Sequence, residues 1–261
     1  MRGVRAAIVN VVLTAVGLCG ATADAQPWVV HETGTGVEIF AEAQIPTDAI
    51  LTELMQVQHE LDTLLNLPRT PQTVQVIVFS SQENYRNYLR RHIPEGVRRR
   101  AIFYKSGTTF QIYSFRHSDL MVDLRHEYTH ALLHQSLPFV PLWIDEGLAE
   151  FMEERPEQRA RSSRQSGMKW RCRTGWKPNL SNLEKIPSAA EMTADHYRDS
   201  WAWAAFLLNE SAQTRNLLKQ YLTAISAGEA PGSFSEWVAS REPEVVNRVG
   251  SYFRRIRISL R

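Results

Sequence analysis

Two stretches decide how this chain is read: His126-Glu127-Tyr128-Thr129-His130 and, beyond Pro138 and Pro141, Trp143-Ile144-Asp145-Glu146-Gly147-Leu148-Ala149-Glu150-Phe151. The first lies in a predicted helix from about Asp119 to Gln135. Residues four apart stand one turn above each other, so both imidazoles project from one face of that helix. Two nitrogens so placed can share one Zn²⁺ at roughly 2.0–2.1 Å each. Glu127 sits beside them, where its carboxylate reaches a metal-bound water rather than the metal. The second stretch predicts a helix over about Trp143–Glu154, with Pro156 as its stop. A short connection makes the two helices antiparallel neighbours and brings Glu146 back toward His130. The expected ligands are therefore His126, His130 and Glu146, with a fourth position left for water, as in catalytic zinc sites. Gly147 is expected to let these two helices approach closely. Two alternatives stay open: a histidine pair that merely packs on a helix face, and a zinc-stabilised binding module without turnover.

Taken together, the two stretches resemble those of the gluzincin metallopeptidases, the peptidase MA-like superfamily. The match covers about thirty residues, and the chain as a whole looks most like the small secreted bacterial members without an assigned substrate. The resemblance implies an α+β, zincin-like fold, Zn²⁺ as cofactor, a peptide or protein substrate, and Glu127 as general base. Gluzincins also bring a Tyr or His from a helix downstream. On that pattern His196-Tyr197-Arg198-Asp199-Ser200-Trp201-Ala202-Trp203 offers Tyr197 first and His196 second as the donor to a developing oxyanion. The competing reading of that pair is a helix cap beside packed aromatics, and Trp201 and Trp203 are expected to be packing residues. Gluzincins often carry an acid at the position of Glu153. With Asp123, one turn before His126, it is a candidate to accept an imidazole N–H. Glu150 is read as solvated. The metzincin pattern is absent, because its glycine and third histidine are missing.

The N-terminus bears on location. Arg2 and Arg5, the apolar run Ala6–Leu18 and Ala23-Asp24-Ala25 have the form of a signal peptide, residues 1–25, directing the chain to the periplasm or the exterior. No other stretch is long and apolar enough for stable membrane insertion. Cys19 leaves with the signal, so the remaining Cys172, in a stretch expected to be a polar loop, can form no intramolecular disulfide. A formal net charge of +2 argues neither for nor against a nucleic-acid partner. The basic runs Arg98–Arg100 and Arg155–Arg173 are read as solvated surface, since no nucleic-acid-binding motif accompanies them.

Around the two stretches the elements change class. Strands are expected at Trp28–His31 and Val37–Ala41, joined through Gly34-Thr35-Gly36, then at Thr73–Phe79. A hairpin is expected with strands Ala101–Tyr104 and Thr108–Ser114 around Lys105-Ser106-Gly107. A helix opens at Thr47 and Asp48, and a second is capped by Ser80 with Glu83. If Thr108–Ser114 lies at the sheet edge, it can pair with an extended peptide. After His117 the pattern is helical, with a long polar loop over 155–188 and helices at about His196–Ser211, Thr214–Ala227, Phe234–Ser240 and near the C-terminus. The expected organisation is an α/β lobe over 26–116 and a helical zinc-binding lobe over 117–261. Together they form one catalytic unit with the metal in the cleft between them.

Overall fold

The structure is a computed structural model that describes residues 28–32, 36–70 and 72–256. The signal-peptide reading, Cys19, Gly34 and Thr35 lie outside the described residues. The chain is mixed α/β and mostly helical. Strand β1 (Val29–Glu32) pairs antiparallel with β2 (Val37–Ala41), Val29 opposite Ala41. Helix α1 (Thr47–Leu65) crosses over to β3 (Val74–Phe79), which lies parallel to β2 with Val37 opposite Val74. Helix α2 (Gln82–His92) then leads to the hairpin of β4 (Ala101–Ser106) and β5 (Thr109–Phe115). Strand β5 adds parallel to β3, Val74 opposite Phe110, and the sheet order is β1-β2-β3-β5-β4.

Two local expectations change. Ser81, not Ser80, caps α2, its side chain accepting from the Asn84 N–H. Ser80 is occupied elsewhere: its N–H and hydroxyl both donate to the Glu42 carboxylate, at 2.9 and 2.8 Å. The hairpin turn is the two residues Gly107-Thr108, with Ser106 opposite Thr109. Gly107 has φ +58° in the first central position, which a type II′ turn requires and other residues resist. The hairpin also places β5 inside the sheet, so the edge strand is β4 and not the stretch Thr108–Ser114.

Helix α3 (Leu120–Ser136) follows, then α4 (Leu142–Met152). The span 155–188, expected as a loop, holds α5 (Pro156–Arg159), α6 (Ser163–Arg173) and α7 (Leu180–Leu183). Pro156 opens α5 rather than merely ending α4, since the first helical position needs no N–H. Helix α6 shows almost no apolar periodicity. Only Met168 and Cys172, one turn apart, are buried on it, and a two-residue stripe is invisible to a pattern search. Burial pushes the Cys172 thiol up, away from the reactive thiolate. Helices α8 (Ala194–Asn209), α9 (Ala212–Ser226), α10 (Phe234–Arg241) and α11 (Val245–Arg255) complete the chain. Among the described residues no helix is long and apolar enough to cross a membrane.

The chain divides into two compact units, Met1–Gln56 with Pro71–Ala131, and Val57–Thr70 with Leu132–Arg261. The division falls within α3 rather than ahead of it. The first unit is built on the sheet, whose Ile39, Val76 and Ile112 are fully buried, as are Ile50 and Leu54 of α1. Phe79, Tyr85, Leu89, Ile93, Tyr113 and Phe115 form an aromatic-rich cluster in which α2 meets β3 and β5. The second unit is helical around Trp143, Leu148, Trp203, Phe206 and Phe234, all at most 2% exposed.

Candidate metal centre

Helix α3 carries an unusual load of buried polar groups. Arg125, Glu127, Thr129 and His130 are all buried, at a cost that each must recover through a partner. Arg125 donates to Glu53 of α1 at 3.1 Å, with both side chains almost wholly withdrawn from solvent. Thr129 turns its hydroxyl back on the Arg125 carbonyl at 2.8 Å. Glu127 accepts the Phe103 backbone N–H of β4 at 2.6 Å. Arg125, Glu127 and Thr129 thus each have a specific partner within the protein.

The two histidines converge as the i, i+4 spacing predicts. Their Nε2 atoms are 3.1 Å apart, and the rings meet edge to face with centroids at 4.9 Å. Two nitrogens bound at 2.0–2.1 Å to a tetrahedral ion stand about 3.3 Å apart, so the observed spacing fits a shared zinc. Glu146 of α4 is 4% exposed. One ligand atom each from His126, His130 and Glu146 lie within 4.8 Å of one another. The last turn of α3 is fastened to the first turn of α4 by His134 and Asp145, whose Nε2 and Oδ2 are 3.1 Å apart. That contact, rather than metal binding, is the place of His134.

A second group, His126 with Glu150 and Glu153, also has ligand atoms within 4.8 Å. Glu150, expected to be solvated, instead faces Arg164 of α6 at 2.7 Å, and Glu153 accepts from the same guanidinium at 2.5 Å. Arg164 also donates to the Glu150 carbonyl at 2.6 Å. The basic run is therefore not simply solvated. Arg159, for its part, pairs with Glu60 and stacks over the Phe151 ring at 3.9 Å. Asp123 accepts from Arg100 at 2.7 Å and lies 3.3 Å from His117 Nε2. Burial raises its carboxyl's pKa, while Arg100 and His117 pull it down. Arg100 is thus also paired, to Asp123 and to Asp119 at 2.6 Å.

Gly147 makes its close approach to α8, not α3. A Cβ there would sit 2.5 Å from the Ser200 carbonyl oxygen, which is backbone and cannot swing aside. This contact has a consequence one turn away. Glu150 follows Gly147 by three residues and Tyr197 precedes Ser200 by three, each about one helical turn from the contact. They line a cavity of 340 Å³ with Arg164, Ala194, Arg198 and Trp201. Replacing Gly147 with Ala is expected to destabilise the protein by about 1–3 kcal/mol, the cost of overpacking against a rigid neighbour. A urea titration with an unshifted midpoint would contradict this close packing.

His196 has a structural occupation. It is the third residue of α8, and its Nδ1 accepts the Thr193 N–H at 3.2 Å while the Thr193 hydroxyl accepts the His196 N–H, a capping box. Tyr197 is the member of the pair that lines the cavity. Trp203 is fully buried, as expected of a packing residue; Trp201 is 3% exposed and also walls the cavity. Phe103, Arg125, Glu53 and Arg164 escaped the sequence reading because their roles arise from pairing across the fold. No protein-family model and no curated protein sequence matches the chain.

Proposed function

We propose that the chain is an exported zinc-dependent peptidase of the gluzincin type, with a zincin-like catalytic fold. One observation carries the reading: His126, His130 and Glu146 bring two imidazole nitrogens and a buried carboxylate oxygen within 4.8 Å. Two nitrogens and one oxygen are a zinc donor set, and three protein ligands leave a position for substrate or water. When bound, zinc lowers the pKa of a coordinated water and polarises a carbonyl. The chain's own residues do the rest. Glu127 takes a proton on its carboxylate from the attacking water and returns it to the departing amide nitrogen. Tyr197, on the cavity wall, donates its phenol hydrogen to the carbonyl oxygen as charge builds there. Glu153, whose ligand atom lies within 4.8 Å of that of His126, supports the orientation of that ring.

Metal analysis tests the centre directly. The wild-type chain is expected to hold one zinc per molecule, and His126→Ala or His130→Ala to lose it while far-UV circular dichroism is retained. Full zinc occupancy in both variants would overturn the assignment. Tyr197→Phe tests the donor: turnover on a peptide library is expected to fall about 10²–10³-fold, the usual loss of one oxyanion donor, with KM little changed. Unaltered kcat would move that role to another residue.

A further inference from the structure

The hairpin that closes the sheet fixes the orientation of every backbone group on β4. Its two-residue turn makes Ser106 and Thr109 a pair that exchanges both hydrogen bonds, and such pairs alternate along an antiparallel ladder. Counting back from the turn, Ser106, Tyr104 and Ile102 bond toward β5. Lys105, Phe103 and Ala101 direct their N–H and C=O groups outward from the sheet edge. The Phe103 N–H therefore faces away from β5, and the Glu127 carboxylate meets it at 2.6 Å. A backbone donor to an ionised acceptor is among the stronger hydrogen bonds, and this acceptor is only 6% exposed. The side chain of the same residue is also engaged. Its ring lies 18° from parallel to the His130 ring at a centroid distance of 6.5 Å, and it packs on Phe110 at 5.9 Å.

We infer that the Phe103 backbone amide is the positioning group for Glu127, holding one carboxylate oxygen at the sheet edge while the Phe103 ring packs beside His130. For its catalytic consequence the inference rests on the reading of Glu127 as general base; the contact itself does not. A main-chain donor suits the task, because β4 is held in register by β5 and has no rotamer freedom to lose. It also restricts substrate pairing. An extended peptide lying along β4 cannot take the Phe103 N–H without displacing Glu127.

Two measurements test this separately. Amide hydrogen exchange on the metal-free protein should show the Phe103 N–H protected, although it points away from the sheet. In Glu127→Ala its exchange should quicken at least about tenfold, while Ile102 and Tyr104 stay slow. Equal exchange at Phe103 in both proteins overturns the contact, whatever the chain catalyses. The second measurement replaces Phe103 with its α-hydroxy acid analogue, so that an ester oxygen stands where the N–H was and the ring is kept. Zinc content and KM should be unchanged and kcat should fall about 10- to 100-fold. Wild-type kcat in the ester protein overturns the positioning role. A wild-type protein that shows the exchange difference yet hydrolyses no peptide removes the functional reading and leaves the contact standing.

Discussion

Glu127→Gln is expected to lower kcat by about 10²–10⁴-fold, the span of general acid–base catalysis, while the purified protein keeps its zinc. Few substitutions separate chemistry from structure so cleanly. The glutamine side chain has the same length, and its amide oxygen can still accept the Phe103 N–H that the carboxylate accepts at 2.6 Å. The His126 and His130 nitrogens that converge at 3.1 Å are untouched. What disappears is the ability to take a proton. Zinc content, thermal midpoint and turnover on a mixed peptide library, measured on one preparation, decide the matter. Zinc retained with turnover lost supports the peptidase. A chain that holds zinc and keeps its full function in Glu127→Gln is instead a metal-stabilised binding module.

Glu53→Ala is expected to cost about 3–5 kcal/mol of stability, the loss that follows when one partner of a buried ion pair is removed. Glu53 of α1 faces Arg125 of α3 at 3.1 Å, and the two side chains are 7% and 2% exposed. Removing the carboxylate takes away the Glu53 half of this ion pair in an interior where the Arg125 charge is poorly solvated. Arg125 immediately precedes His126, so the disturbance reaches the helix of the two histidines, and on the proposed function weaker zinc retention should accompany the lower stability. Desolvating two charges consumes most of what their attraction returns. Replacing both with apolar residues, Glu53→Leu with Arg125→Met, should therefore recover much of the loss. Denaturant titrations of the single and double variants supply the check. A single variant as stable as wild type would show that this pair carries no stabilising load.

The grouping of His126, His130 and Glu146 was legible because it depends on local geometry. The histidines sit four apart on one helix, and Glu146 follows after a short Pro-bounded connection. Each inference needs only the 3.6-residue period and a loop too short to let the helices diverge. The strands at Val37–Ala41 and Val74–Phe79 and the helix at Thr47–Leu65 were legible for the same reason, since each carries its own apolar period. Helix α6 was not, because its buried face is two residues deep and its arginines find partners on α4 and α8 that no pattern within the helix announces.

The amino-acid sequence by itself determined which residues can hold a metal and which carboxylate stands beside them, because spacing along a helix is a property of the chain alone. Only the tertiary structure decided what surrounds them. It assigned Gly147 to the Ser200 carbonyl rather than to α3, and gave Glu150 to Arg164 rather than to solvent. It also exchanged the sheet edge from β5 to β4 and brought the Phe103 amide to Glu127. These partners are far apart in sequence, and their meeting depends on how sheet and helices stack, which burial selects and local periodicity does not encode.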